Sequence, residues 1–202
     1  MHSSSNNIDN NDSNYNEEFS KFIRDLVFSL KAENVLEAGC STGNDLRAFP
    51  ENFDVHGIDL NDHALNKARL KLRSFKFKKG SIIELPYGNS SFDLVFTHKV
   101  LNYIDDKDMP NAISELFRVS RKYIVNFELF SKDEEVINLE DKSRYRNMYK
   151  RWLDFKVKII SNVDMHEEID PEKSRFNLVK KLWRSKISLV VFTLGNIFVQ
   201  AN

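Results

Sequence analysis

Cysteine is almost absent from this chain. Cys40 is the single one in 202 residues, so no disulfide can form within it. An excess of charge is absent as well. Thirty basic residues balance thirty acidic ones, giving a formal net charge of zero. That argues against nucleic acid as the main partner, because phosphate binding usually leaves a strong basic surplus. The five histidines, His2, His56, His63, His98 and His166, lack the close helical pairing of zinc enzymes, and no metal site is expected. No Gly-x-x-x-x-Gly-Lys-Ser/Thr loop occurs, which argues against a nucleotide triphosphatase. The N-terminus has no apolar signal core, so a cytoplasmic protein is expected. The longest apolar stretch, Ile187 to Ala201, is uncharged. It is shorter than the ~20 residues that span a bilayer. A packed C-terminal element is expected there; self-association, partner docking or a membrane-surface role is the alternative.

Glycine is also sparse, at six residues, and two of the six share one turn. Val35-Leu36-Glu37-Ala38 reads as a short buried strand ending beside an acid. Gly39-Cys40-Ser41-Thr42-Gly43 follows as a turn in which backbone can approach a ligand closely. Twenty residues after Gly39, a second apolar run ends in an acid, Val55-His56-Gly57-Ile58-Asp59, followed by Leu60. An acid at the tip of the next parallel strand is placed to accept hydrogen bonds from two ribose hydroxyls. The spacing is Glu-x-Gly-x-x-x-Gly rather than the Gly-x-Gly-x-x-Gly that sets a helix N-terminus on a pyrophosphate. A carboxylate directly before the turn suits a cationic ligand. The reading is therefore a nucleoside-containing, positively charged cofactor across the carboxyl ends of a parallel sheet.

The rest of the chain supplies such a sheet. Residues 1–14 are mostly Asn, Ser and Asp and are expected to form a disordered tail. Phe19, Phe22, Ile23, Leu26, Val27 and Leu30 recur at helical spacing. Strands are expected at Asn34–Ala38, Asp54–Ile58, Phe75–Lys78, Phe92–Thr97 and Lys122–Phe127. Helices are expected at Asp45–Phe49, Asp62–Leu72 and Asp108–Val119, with Asp62 and Asp108 as N-caps. This alternation implies a doubly wound α/β domain with a mostly parallel sheet. Beyond Phe130 a helix is expected around Tyr145–Leu153. Two closing strands, Val157–Val163 and Arg175–Trp183, are joined by an acidic loop from His166 to Pro171. The organisation is thus a tail (1–14), one cofactor-binding domain (15–184) and an apolar segment of unknown role (185–202). The basic run from Lys67 to Lys79 is read as solvated surface.

Glu37 to Gly43, the acid Asp59, the strand Phe92-Asp93-Leu94-Val95-Phe96-Thr97 and its lead-in Leu85-Pro86-Tyr87 together resemble the class I S-adenosylmethionine-dependent methyltransferases. The resemblance spans roughly residues 30 to 183. It implies a seven-stranded Rossmann-like sheet closed by an antiparallel hairpin, and S-adenosylmethionine as cofactor. It also implies roles: Glu37 toward the amino group of the methionine part, and Gly39, Cys40 and Gly43 lining it. Asp59 and Leu60 would sit at the ribose, and Ser81 and Ile82 at the adenine. Many relatives carry an acid where Ser81 stands, so a serine hydroxyl or backbone replaces it here. Thr97 ends the strand where the methyl is presented. Residues 92–104, residues 119–125 with Glu128, and Met148-Tyr149-Lys150-Arg151 also resemble methyltransferases associated with pseudaminic acid biosynthesis. Trp152 and Leu129-Phe130 depart from that group. This second likeness implies a sugar or nucleotide-sugar acceptor.

The methyl leaves a sulfonium by in-line displacement, so alignment supplies much of the acceleration and the catalytic residues are hard to read. His98 is a candidate general base, with a reference pKa near neutrality, or else a packing histidine. Tyr103 and Asn102 are placed to touch the acceptor. Glu128, at the tip of the fifth strand, is a candidate for orienting an acceptor hydroxyl or amine, or a surface carboxylate paired with an arginine. Arg144, Arg146, Lys150 and Arg151 are either a basic lid for an anionic acceptor or an exposed helix face. Cys40 is read as a loop-filling side chain. The expected activity is methylation of a small polar acceptor at oxygen or nitrogen. A nicotinamide-dependent oxidoreductase and a non-catalytic cofactor-binding scaffold are the alternatives.

Overall fold

The computed structural model describes residues 15–182, so the expectations for 1–14 and for 185–202 lie outside the described residues. Val35, Leu36, Glu37 and Ala38 are buried on both sides of the strand Asn34–Ala38 (β1), as a central parallel strand requires. Asp54–Asp59 (β2), Lys76–Lys79 (β3), Phe92–His98 (β4) and Ser120–Glu128 (β5) run parallel to it. Val136–Asn138 (β6) and Ser143–Arg144 (β7) form a separate small ribbon. Val157–Asp164 (β8) and Arg175–Lys181 (β9) form an antiparallel hairpin whose second strand pairs antiparallel with β5. The seven-stranded sheet has the order β3-β2-β1-β4-β5-β9-β8. The order reverses between β1 and β4, where ligands bind in open α/β sheets.

Two helix layers cover the sheet. Helix α1 (Glu17–Ser29) and helix α2 (Asp62–Lys71) pack on one face, through Phe19, Ile23, Val27 and Leu65 against Val35, Val55 and Leu94. Helix α3 (Met109–Val119) and helix α4 (Met148–Trp152) pack on the other, through Ile113, Leu116 and Trp152 against Leu36, Val95 and Ile124. The alternation of these two sets along each strand is the period-two pattern of a doubly covered sheet. At the edge, β3 exposes Lys76, Lys78 and Lys79, and Lys76 pairs with Asp54 at 2.7 Å. The basic run therefore guards an edge strand against further pairing.

Several expectations need correction. Asp45–Phe49 is no α-helix: only Asn44–Leu46 makes a single 3-10 turn. The chain has ten residues between Gly43 and Asp54 to return to the sheet. Ser20 of α1 holds that turn, donating to the Asp45 carbonyl at 3.0 Å and accepting from the Ala48 amide at 2.9 Å. Asn61, not Asp62, caps α2, accepting from the Ala64 amide at 3.2 Å. Asp108 stands at the N-cap of α3 without a side-chain cap bond. The ribbon and a 3-10 turn at Leu101–Tyr103 were not expected. All three residues of β6 are exposed, so it carries no apolar alternation to read.

Candidate active site

The glycine turn is built from three left-handed residues in five: Gly39 at φ +87°, Ser41 at +45° and Gly43 at +74°. The amides of Gly39 and Cys40 both donate to the Ile58 carbonyl, at 2.8 and 3.0 Å, which seats the turn on the tip of β2. A Cβ on Gly39 would lie 2.4 Å from Val100 Cγ2. The close approach at this position is therefore to the loop after β4. Gly43 packs against Leu72, Ala68 and Phe77, on the α2 side.

Asp59 ties the turn to its own strand tip. One carboxylate oxygen accepts from the Ser41 amide at 2.8 Å and the other from the Asn61 amide at 2.8 Å. A carboxylate oxygen has more than one lone pair, so both remain able to accept from hydroxyl groups. Leu60 beside it is exposed. Cys40 is buried against Gly57. Burial, and then the charges of Glu37 and Asp59, push its thiol far up, so it is no thiolate nucleophile. After β3, the Ser81 hydroxyl accepts from the Ile83 amide at 3.3 Å, and Ile82 packs into the core beside Leu36 and Ile58.

Beneath the turn lies a chain of acids ending in a histidine. Glu37 is buried; burial first, then the charge and hydrogen bond of Asp45, then Asp59, hold its carboxyl well above the usual carboxylate range. Asp45 Oδ2 in turn meets His98 Nδ1 at 2.6 Å. The imidazole is sandwiched by packing: Phe19 stacks on it at 3.9 Å and Phe127 meets it edge-on at 6.2 Å. Three buried side-chain atoms in this region have no hydrogen-bond partner: Glu37 Oε2, Asn44 Oδ1 and His98 Nε2. Buried polar atoms are normally paired, so orphans gathered at one turn mark a place built for a polar ligand.

The remaining candidates point elsewhere. Thr97 faces the opposite side of β4, donating to Glu128 Oε1 at 2.7 Å and accepting from Asn126 Nδ2 at 2.9 Å. Trp152 Nε1 completes this network on Asn126 Oδ1 at 2.7 Å. Glu128 is wholly buried, and its other oxygen accepts from the Leu101 amide at 3.1 Å. It is neither a surface carboxylate nor paired directly with an arginine. Burial pushes its carboxyl up to about 8, against the opposing pull of Thr97 and the turn amides. Tyr103 is exposed at the rim. Next to it, a cavity of about 360 Å³ is lined by residues 104–107 and, from the ribbon and its turn, Val136, Leu139, Lys142 and Arg144. The basic cluster divides: Arg144 lines this cavity and Lys150 is exposed on α4, while the other two are engaged in ion pairs. Arg146 is buried and binds Asp106 at 2.6 Å, and Arg151 donates to Glu134 at 2.8 Å.

Residues 35–123 match the family model described as a methyltransferase domain. The fold is similar to that of solved methyltransferase structures. One is an S-adenosylmethionine-bound amino pentose methyltransferase from Micromonospora echinaspora: TM-score 0.65, 14% identity, covering 81% of this chain and 90% of that one. Residues 35–123 are thus similar to a methyltransferase domain, on a fold shared with solved S-adenosylmethionine-dependent methyltransferases. Among sequence relatives, an uncharacterized methyltransferase of Schizosaccharomyces pombe is 30% identical over 110 residues, covering 48% of this chain and 39% of the relative. A malonyl-[acyl-carrier protein] O-methyltransferase of Serratia marcescens is 32% identical over 94 residues, covering 46% and 36%. The chain thus spans less than half the length of these relatives.

The residues present fit S-adenosylmethionine. Glu37 Oε2 and Asn44 Oδ1 are free acceptors at the turn, matching an ammonium group, and Asp59 keeps lone pairs for a diol. The sequence alone points to Glu37, Asp59 and the turn. It misses Asn44, Asp45 and Val100. The signal for Asn44 and Asp45 is the polar pair directly after Gly43, where a helix was expected. Among the described residues no group of three or more His, Cys, Asp or Glu is arranged to hold a metal ion. No described helix is long and apolar enough to cross a membrane.

Proposed function

We propose that this chain transfers a methyl group directly to the oxygen or nitrogen of a small polar acceptor, with a sugar or nucleotide-sugar as the first class to try. The observation that carries this reading is the set of unpartnered buried acceptors at the glycine turn, Glu37 Oε2 above all. When bound, S-adenosylmethionine supplies an activated methyl on a sulfonium. Glu37 and Asn44 bind its amino-acid end, and Asp59 holds its ribose hydroxyls. Gly39, Cys40, Gly43 and Leu60 line the passage between them, and Ser81 with Ile82 bounds the base. Thr97 works from behind the strand, keeping the β4 tip in place through Glu128 and Asn126. His98 takes the acceptor's proton at Nε2. Tyr103, exposed next to the cavity at residues 104–107, meets the acceptor. Glu128 supports the reaction by fixing the Leu101 amide, and so the loop that carries Tyr103.

The sugar class is supported by the likeness of residues 92–104 and 119–125, with Glu128, to methyltransferases associated with pseudaminic acid biosynthesis and by the amino pentose enzyme that shares the fold. Calorimetry tests the cofactor half. S-adenosylhomocysteine is expected to bind, and Glu37→Gln to weaken binding about 10- to 100-fold, the loss of one hydrogen bond between charged groups. Asp59→Ala is expected to weaken it comparably. Binding of NADH in place of S-adenosylhomocysteine would overturn the reading. A panel of nucleotide-sugars and amino sugars with labelled methyl donor then tests the acceptor class.

A further inference from the structure

We infer that Asp45 is a positioning residue for methyl transfer: it fixes the His98 ring so that Nδ1 carries the proton and Nε2 is left bare to accept one. This rests on the methyltransferase reading and adds to it a residue from the turn after Gly43. The supporting geometry is one-sided. Nδ1 lies 2.6 Å from Asp45 Oδ2, while Nε2 is buried without any partner. A carboxylate oxygen accepts, so the ring nitrogen that faces it must donate. The other nitrogen then holds a lone pair. Were the purpose of His98 only to pack, a phenyl ring would fill the slot between Phe19 and Phe127 without burying an unpaired nitrogen, which is costly.

Asp45 is itself held on two sides. Ser20 binds its carbonyl at 3.0 Å, and its carboxylate lies against Glu37. The other charged side chains at this strand tip are spoken for. Lys99, next in the chain, pairs with Asp170 at 3.0 Å and Glu172 at 3.3 Å. Asp59 is engaged with the Ser41 and Asn61 amides. Asp45 is thus the carboxylate paired with His98, and it stabilises the imidazolium that forms. In the step itself, the acceptor oxygen or nitrogen forms a bond to the methyl carbon. The carbon–sulfur bond breaks with its electron pair left on sulfur. The acceptor's proton passes to His98 Nε2 and later to water.

The tautomer of His98 can be read directly, without an acceptor. In full-length protein carrying ¹⁵N-labelled histidine, long-range ¹H–¹⁵N spectra are expected to show a protonated Nδ1 and an unprotonated Nε2 for His98. His98→Gln provides the assignment. A far-downfield proton resonance from the short Nδ1–H···Oδ2 bond is also expected. Asp45→Asn presents an amide hydrogen to Nδ1 and is expected to move the proton to Nε2 and abolish the downfield signal. A wild-type ring protonated at Nε2, or an Asp45→Asn spectrum identical to wild type, overturns the inference. If Asp45→Asn does not fold, the wild-type spectrum alone decides. Titration of the same sample with S-adenosylhomocysteine separates the two readings. Failure to bind removes the methyltransferase proposal, whereas the tautomer tests Asp45 alone.

Discussion

A methyl group at position 39 would meet Val100 Cγ2 at 2.4 Å, on a backbone whose φ of +87° side chains rarely adopt. Gly39→Ala is therefore expected to destabilise the fold by about 1–3 kcal/mol through strain at this turn. Adding Val100→Ala should recover part of that loss, because the two positions are in contact. Urea titrations of the single and double variants check this. The same position shows what one sequence can and cannot reveal about single residues. Glu37 and Asp59 were legible because each lies at the end of its own strand, so their placement is local. Gly39 was legible as a close approach, but what it approaches was not: Val100 comes from a different strand end. The contact between Asp45 and His98 was not legible because the two lie 53 positions apart. Thr97 and His98 were read together as one strand tip, yet adjacent strand residues face opposite sides. One went to the Glu128 network, the other to the acid chain.

At the scale of elements, strands β1, β2, β4 and β5 and helices α1 to α3 followed from apolar periodicity, because each buries a continuous face. The segment between β5 and α4 did not, because it is held by side chains rather than by a core. Asn102 donates to the Leu129 and Arg144 carbonyls at 3.1 and 2.7 Å and accepts from the Leu129 amide at 3.1 Å. Arg146 donates to the Leu101 carbonyl at 3.0 Å, to the Ile104 carbonyl and to Asp106 at 2.6 Å. These two residues stitch the ribbon to the loop that follows β4. Arg146→Met keeps an apolar stem and deletes the donors. It is expected to cost about 2–3 kcal/mol, in the range for hydrogen bonds to a charged group. Limited proteolysis should find the damage confined at first to residues 131–147, with the sheet still protected. Cleavage spread evenly over the chain would contradict that view of the ribbon as a separately fastened part.

For the molecule as a whole, buried acids tie stability to pH. Burial lifts the Glu128 carboxyl to about 8, and Glu37 is raised for the same reason with Asp45 added. A carboxyl whose folded pKa exceeds its unfolded value holds its proton more tightly when folded. Between about pH 4.5 and 8, for Glu128, the folded state binds more protons than the unfolded one. Stability therefore falls as pH rises through that window, by up to about 1.4 kcal/mol per pH unit for each such group. Glu128→Gln cannot ionise and is expected to flatten the decline. Urea midpoints measured from pH 5 to 9 for both proteins check the sign. A midpoint that climbs with pH for wild type and not for Glu128→Gln would refute it.

The family match starts at residue 35, yet Phe19 and Ser20 belong to the helix in front of it. Phe19 stacks on the imidazole and Ser20 pins the turn bearing Asp45. The strand tips proposed to hold the donor and the pocket proposed to take the proton therefore come from different stretches of polypeptide, one inside the match and one partly ahead of it. A fragment trimmed to the matched span would retain the former and strip the ceiling from the latter. On the proposed function, exchange of the leading helix between relatives is expected to alter the surroundings of His98 while leaving the glycine turn intact.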